Sequence, residues 1–150
     1  MPFSRPLTEP GAAADGAVAA PVERTATHML SRIAGPRLGT ICLTENFVPA
    51  GVRPEIAAGP VELTNLSGGE QEQLFLIIRL ALGLVLAKEE RQLVVLDDVL
   101  NATDTGRLAR VLTLLEECAD RLQIVVLTCH LERYRGLEEA KFFDLQTLCH

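Results

Sequence analysis

The sequence predicts an α/β fold with a mostly parallel sheet and flanking helices, and three observations carry that prediction. Leu93-Val94-Val95-Leu96 is a continuous apolar run bounded by charges, the pattern of a strand buried on both faces of a parallel sheet, and Ile124-Val125-Val126-Leu127 repeats it. Between them, Leu108, Val111, Leu112 and Leu115 recur at helical spacing and mark a helix over about 105–119. The order strand, helix, strand predicts a right-handed βαβ unit with parallel strands. Upstream, Leu74, Ile77, Ile78, Ala81, Leu84 and Val85 form the apolar stripe of a long helix over 67–87, with Gln71, Gln73 and Arg79 off that stripe.

The remaining elements follow from local chemistry. Residues 1–21 are rich in Pro, Gly, Ala and small polar side chains without period, so they are expected to form a disordered tail, with 22–150 as the folded lobe. A short helix is expected over 22–34, with Met29, Leu30 and Ile33 on one face and Gly35-Pro36 ending it. Residues 37–43 and 46–50 read as two short strands or one hairpin before Gly51 and Pro54. A last strand is expected at Lys141-Phe142-Phe143-Asp144-Leu145, after a loop or short helix over 133–139.

Composition narrows the class of function. Apolar residues make up 48% of the 150 and charged residues 23%, the balance of a soluble globular chain. The net charge of −6 lies wholly beyond residue 60, where nine basic side chains face fifteen acidic ones. Such a surface gives no electrostatic footprint for non-specific DNA binding, so any DNA is expected to be held by other segments or subunits. Cys42, Cys118, Cys129 and Cys149 are widely spaced with no C-x-x-C pair, which suggests free thiols and neither a zinc site nor a disulfide framework. No run of eighteen apolar residues and no signal-peptide core occurs, so a cytoplasmic location is expected.

Four short motifs carry chemistry. Leu66-Ser67-Gly68-Gly69-Glu70 sets two glycines at a helix start, where backbone N–H groups and the helix dipole can approach a phosphate, and Ser67 adds a hydroxyl. It also matches the S-x-x-E capping box, and taken alone it reads more readily as a capped helix start than as an anion site. Asp97-Asp98 ends the first apolar strand, where two carboxylates suit a Mg²⁺-nucleotide site, although one Asp there is commonplace as a turn cap. Asn101-Ala102-Thr103-Asp104 follows directly and by itself reads as a turn. Thr128-Cys129-His130 ends the second apolar strand, which puts His130 at the same sheet edge as the acid pair, where α/β sheets bind ligands. A lone loop histidine is usually only solvated, as His28 and His150 are expected to be.

Taken in order, LSGGE, LVVLDD, NATD and TCH resemble the signature motif, Walker B, D-loop and H-loop of the ABC ATPase superfamily. Glu70, the long spacing to the acid pair and the DDVL string look like the SMC/RecF/RecN/SbcC branch, and EQLFLIIRLAL is especially similar to YhaN-like AAA ATPases. The resemblance covers about residues 25–148 and implies a partial P-loop NTPase fold of the ABC/SMC-head kind that works with ATP and Mg²⁺. It implies that Ser67, Gly68, Gly69 and Glu70 close over the γ-phosphate of an ATP held by a partner head. It implies further that Asp97 serves magnesium, Asp98 the attacking water and His130 the γ-phosphate, while Asn101 to Asp104 communicate between heads.

Two departures from the family pattern matter. Asp98 stands where most of the superfamily has Glu, a shorter side chain that RecF-like and YhaN-like members share. No G-x-x-x-x-G-K-[ST] occurs in the sequence, and the Q-loop and coiled-coil arm are missing too. Without the backbone nest of that loop, autonomous ATP binding is expected to be weak or absent. The expectation is therefore the C-terminal lobe of an ATPase head, completed by a Walker A lobe or a partner head and serving DNA repair or chromosome maintenance. The alternatives are an inert truncated head acting as an interaction module, and a fragment of a transporter nucleotide-binding domain, against which Glu70 and DDVL argue.

Overall fold

The structure, a computed structural model, describes the backbone of residues 12–56, 59–88 and 90–148 and the side chains of 18–56, 59–88 and 90–147. Helix α1 (Ala12–Ala34) leads into a short 3₁₀ turn and the strands β1 (Thr40–Leu43), β2 (Pro49–Arg53) and β3 (Val61–Glu62). Helix α2 (Gly68–Leu86), strand β4 (Gln92–Asp97), helix α3 (Thr105–Ala119) and strand β5 (Leu122–Leu127) follow, and α4 (Leu145–Leu148) is a single turn near the C-terminus.

The helix expected from residue 22 begins at Ala12 and carries Pro21 inside it, so 12–21 are its first turns and not part of a tail. Residues 1–11, Cys149 and His150 lie outside the described residues. Gly35, with φ 73°, takes the left-handed conformation that ends α1, and Arg110 Nε donates to the Ile33 carbonyl at 2.8 Å, which ties that end to α3. Arg32 grips both oxygens of Glu117 on α3 at 2.6 and 2.7 Å, an exposed fork that adds geometry more than stability.

Residues 40–53 form a hairpin, as one of the two expected arrangements, but its second strand is Pro49–Arg53 and not 46–50, so Gly51 pairs within it with Cys42 and does not end it. β1 pairs antiparallel with β2 from Thr40↔Arg53 to Leu43↔Pro49, with a register shift between Cys42 and Leu43, and β3 adds a short third strand that the sequence reading lacked. The sheet is therefore not mostly parallel: among the described residues one sheet is antiparallel, in the order β1-β2-β3, and a separate pair, β4-β5, is parallel. Chain length between strands explains the difference. Five residues join β1 to β2, which permits only antiparallel return, whereas α3 fills the crossover that a parallel pair needs. The free edge of β1 is not bare, because Thr27 and Glu23 of α1 accept from the Ile41 and Leu43 N–H groups at 3.0 Å each.

Helix α2 is the central element. Beyond the expected stripe, Leu76, Leu80 and Gln73 are also buried, because α2 lies between α1 on one side and β4 on the other. A helix buried on two sides loses the simple amphipathic pattern. Gly83 is the point of closest approach to the sheet: a Cβ there would meet Val94 Cγ2 at 3.1 Å and Leu122 Cδ2 at 3.3 Å. Cys118 on α3 is buried, and loss of hydration, reinforced by the charge of Glu117, pushes its thiol up to about 11, so it behaves as a small apolar side chain.

The apolar runs are covered on one face only. Val94, Leu96 and Leu122 are buried against the helices, while Leu93 (59%), Val95 (46%), Val125 (37%) and Leu127 (43%) are exposed on the other face. Burial on both faces is corrected accordingly: the two helices that contact the pair, α2 and α3, account for one face, and no described element covers the other. The strand expected at 141–145 is also absent. Asp144 starts a helical turn there, its side chain accepting from Gln146 N at 2.9 Å and its carbonyl from Thr147 Oγ1 at 2.7 Å, and Phe142 and Phe143 remain exposed.

Adjacent residues of β4 give a direct test of this one-sided burial. Leu96→Ala is expected to cost about 2–5 kcal/mol in urea unfolding, and Val95→Thr less than about 0.5 kcal/mol. Equal costs would show that both faces are covered in solution.

Candidate functional site

The site assembles at the carboxyl edge of β4 and β5. Register is unbroken from Gln92↔Leu122 to Asp97↔Leu127, so both strands end side by side, and the Asp98 N–H donates to the Leu127 carbonyl at 2.8 Å. Asp97 and Asp98 therefore neighbour Thr128, Cys129 and His130, as the motif order predicted. All of these except the half-buried Thr128 are exposed. Thr128 Oγ1 accepts from the His130 N–H at 2.9 Å, and His130 Nδ1 lies 3.5 Å from Glu132 Oε1, which turns the imidazole toward the following 3₁₀ turn, Leu131–Tyr134.

The signature segment is a capped helix start in full. Ser67 Oγ accepts from the Glu70 N–H at 3.4 Å, and Glu70 Oε2 accepts from the Ser67 N–H at 3.0 Å and the Ser67 hydroxyl at 2.9 Å. Arg37, beyond the end of α1, pairs with the other Glu70 oxygen. Burial opposes the Glu70 charge, yet the hydrogen bonds from Ser67 and Arg37 outweigh it and hold the carboxyl below its ordinary value. Gly68 and Gly69 open α2, and Gly69 is required by packing: a Cβ there would sit 2.6 Å from the Ala102 carbonyl oxygen.

That contact joins the signature segment to the loop after the acid pair. Glu72 Oε2 accepts from the Ala102 N–H at 3.0 Å, and Gln73, 1% exposed, reaches Thr103 Oγ1 at 3.5 Å with its own Oε1 left without a partner. Asp98 (φ 44°) and Leu100 (φ 71°) both take the left-handed conformation that side chains resist, at a cost of roughly 1–3 kcal/mol each. Asn101 Nδ2 donates to the Asp98 carbonyl at 2.9 Å and locks the turn. Asp104 caps α3 through the Arg107 N–H at 3.0 Å; that bond, and more weakly the Arg107 charge, hold its carboxyl below the ordinary range.

From the far side, Arg133 Nη2 donates to the Leu100 and Thr103 carbonyls at 2.6 and 2.7 Å, and the buried Tyr134 hydroxyl donates to the Val99 carbonyl at 2.7 Å. Burial pushes the Tyr134 phenol upward, so it remains a donor at neutral pH. Arg37, Glu72, Gln73, Arg133 and Tyr134 were not among the residues that the sequence singled out for the site.

Among the described residues no group of three His, Cys, Asp or Glu converges as a self-sufficient metal site. The adjacent exposed carboxylates of Asp97 and Asp98 nonetheless suit magnesium, which takes one or two protein carboxylates and completes its shell with water and phosphate oxygens. The Ser67 hydroxyl donates to Glu70, so the donors that the start of α2 offers toward a phosphate are the N–H groups of Gly68 and Gly69.

No protein-family profile matches the chain. Over 83 residues, 55% of its length, it is 40% identical to uncharacterized proteins of Mycobacterium bovis and Mycobacterium tuberculosis, and it spans about 10% of the length of those relatives. Among solved structures it is similar to a chain from a structural study of ATP-driven dimerization and DNA-stimulated activation of SMC ATPases. The TM-score is 0.64 at 15% identity, over 88% of this chain and 83% of the other. This likeness shows the fold alone: the chain is folded like that SMC ATPase chain. No helix among the described residues is long and apolar enough to cross a membrane.

The Glu70 cap carries a pH signature. A carboxyl whose pKa falls on folding stabilises the fold above its ordinary value of 4.5 and loses that contribution as pH drops through the folded value. The stability gap between wild type and Glu70→Gln, about 0.5–2 kcal/mol at pH 7, is therefore expected to shrink below pH 4.5. A gap that is independent of pH would remove the charged cap from the account.

Proposed function

We propose that this chain is the C-terminal half of an SMC/SbcC-like ABC ATPase, which supplies the signature, Walker B, D-loop and H-loop segments to a site completed by a Walker A lobe in trans. The observation that carries the proposal is the junction of three segments. The signature helix start packs on the loop after Asp97-Asp98 through Gly69 and Ala102, and His130 stands at the neighbouring strand end. A likeness to an SMC ATPase chain over most of the length supports it, as does local identity to a tenth of much longer proteins.

In this reading ATP and Mg²⁺ bind at the carboxyl edge of β4 and β5, beside the start of α2. Asp97 holds the magnesium shell, and the metal, when bound, neutralises charge on the phosphate oxygens. Asp98 orients the attacking water and takes its proton, and His130 contacts the γ-phosphate. Ser67, Gly68 and Gly69, with Glu70 fixing their geometry, close over the nucleotide of the partner head, while Asn101 and Asp104 border the junction between heads. These 150 residues contain no phosphate-binding loop, and in this reading a Walker A lobe outside them supplies the phosphate nest and lysine.

The exposed face Leu93, Val95, Val125 and Leu127 supports a missing lobe. A two-stranded sheet with one bare apolar face is marginal alone, and parallel sheets are stable when both faces are covered. In this reading the net charge of −6 leaves any DNA contact to other segments or subunits, and the chain serves DNA repair or chromosome maintenance as a relative of YhaN-like ATPases.

The test is ATP turnover by the chain alone and mixed with a Walker A lobe of an SMC-like head. Turnover is expected only in the mixture, and Asp98→Asn and Ser67→Arg are each expected to lower it by about 10²-fold or more. The absence of a phosphate-binding loop also favours a second reading, an inert interaction module, and failure of every mixture to hydrolyse ATP would select it.

A further inference from the structure

The most densely bonded feature outside the motifs is the set of side chains that close around residues 98–104. The loop is held from two directions. From α2, Glu72 accepts from the Ala102 N–H at 3.0 Å, Gln73 reaches Thr103, and Gly69 lets the helix start approach the Ala102 carbonyl. From the turn after His130, Arg133 bridges the carbonyls of Leu100 and Thr103, and the Tyr134 hydroxyl takes the carbonyl of Val99.

The cost of this arrangement lies in the backbone. Asp98 and Leu100 hold positive φ without being glycine, and such a conformation persists only where its surroundings over-determine it. Arg133 and Tyr134 supply part of that determination, since the carbonyls they bind include those of Leu100 itself and of Val99 between the two strained residues, while Asn101 and the Leu127 carbonyl hold Asp98. Tyr134 is 2% exposed and Arg133 has a buried Nε with no partner, so neither side chain is placed there for solvation. The same turn begins at His130, so one short segment connects the histidine to the side chains that bind the loop, and the loop in turn contacts α2 at Ala102 and Thr103.

We propose that Arg133 and Tyr134 are positioning residues, which hold the 98–104 loop so that Asp98 is presented to the site, and which couple the histidine segment to the start of α2. The functional half of this proposal rests on the ATPase reading above, whereas the positioning half concerns the chain by itself.

The experiment therefore has two arms, with Tyr134→Phe, Arg133→Ala and the conservative Arg133→Lys. In the chain alone, amide hydrogen exchange at Ala102 and Thr103 is expected to rise by about tenfold in Tyr134→Phe and Arg133→Ala, with β4 and α3 amides unchanged and Arg133→Lys intermediate. In the mixture with a Walker A lobe, kcat is expected to fall by roughly tenfold at a KM for ATP within about twofold of wild type. Unchanged exchange at 100–104, or a rise spread equally over β4 and α3 as in simple loss of stability, overturns the proposal. A local rise in exchange with unaltered kcat overturns its catalytic half. Absence of turnover in the wild-type mixture sinks the ATPase reading, and the exchange arm still decides whether the two residues hold the loop.

Discussion

Parallel pairing of β4 with β5 is the constraint from which the rest of the site follows. Two parallel strands in register end at the same edge, so residues far apart in sequence are gathered without any dedicated contact between them. Asp97 opposes Leu127 in that register, and one residue later the chain leaves both strands, which brings the acid pair and the Thr128-Cys129-His130 segment together. Helix α3 makes this possible by carrying the chain back over one face of the pair. Helix α2, packed on the same pair through Gly83, Val94 and Leu122, brings its own N-terminus to the loop beyond Asp98. The sheet pair, its crossover helix α3 and α2 thus pack as one unit.

Within that unit the loop over 98–104 is where rigidity is concentrated. Two left-handed non-glycine residues are unusual in seven, and their surroundings answer for them: side chains of Glu72, Asn101, Arg133 and Tyr134 take up the backbone groups that the turn leaves unpaired. The helix starts on either side are secured in the same manner, α2 by Ser67 and Glu70 and α3 by Asp104. Ser67, Glu70 and Asp104, which the motif resemblance assigns to a nucleotide site, also hold the backbone here, so substitution at Glu70 or Asp104 perturbs structure as well as any ligand contact.

Reading the sequence succeeded where the signal is local. The capping box at Ser67 and Glu70, the α3 stripe of Leu108, Val111, Leu112 and Leu115, and the two apolar strands each depend on residues within a few positions of one another, and each element stands where it was expected. It failed where the cause is distant. Glu72, Gln73, Arg133 and Tyr134 act on partners 30 to 35 residues away, and nothing in their own neighbourhood marks them. Gln73 lies off the apolar stripe in sequence yet is buried, because burial of α2 on two sides is a property of the packing and not of the helix. The 141–145 run has the composition of a strand, but Asp144 nucleates a helical turn there. The apolar runs of β4 and β5 signal burial on both faces, and the folded chain covers only one of them.

That mismatch between an apolar sequence and a bare face, together with motifs that resemble those of a nucleotide site but lack a phosphate nest, underlies the proposal that this lobe is one part of a composite ATP site. Equilibrium binding of Mg-ATP, measured by calorimetry on the chain alone and on its mixture with a Walker A lobe of an SMC-like head, tests it most directly. The account predicts no saturable binding to the chain alone at low-millimolar ATP and saturable binding in the mixture that weakens when Asp97→Asn replaces the wild-type chain. Saturable micromolar binding by the isolated chain would contradict it.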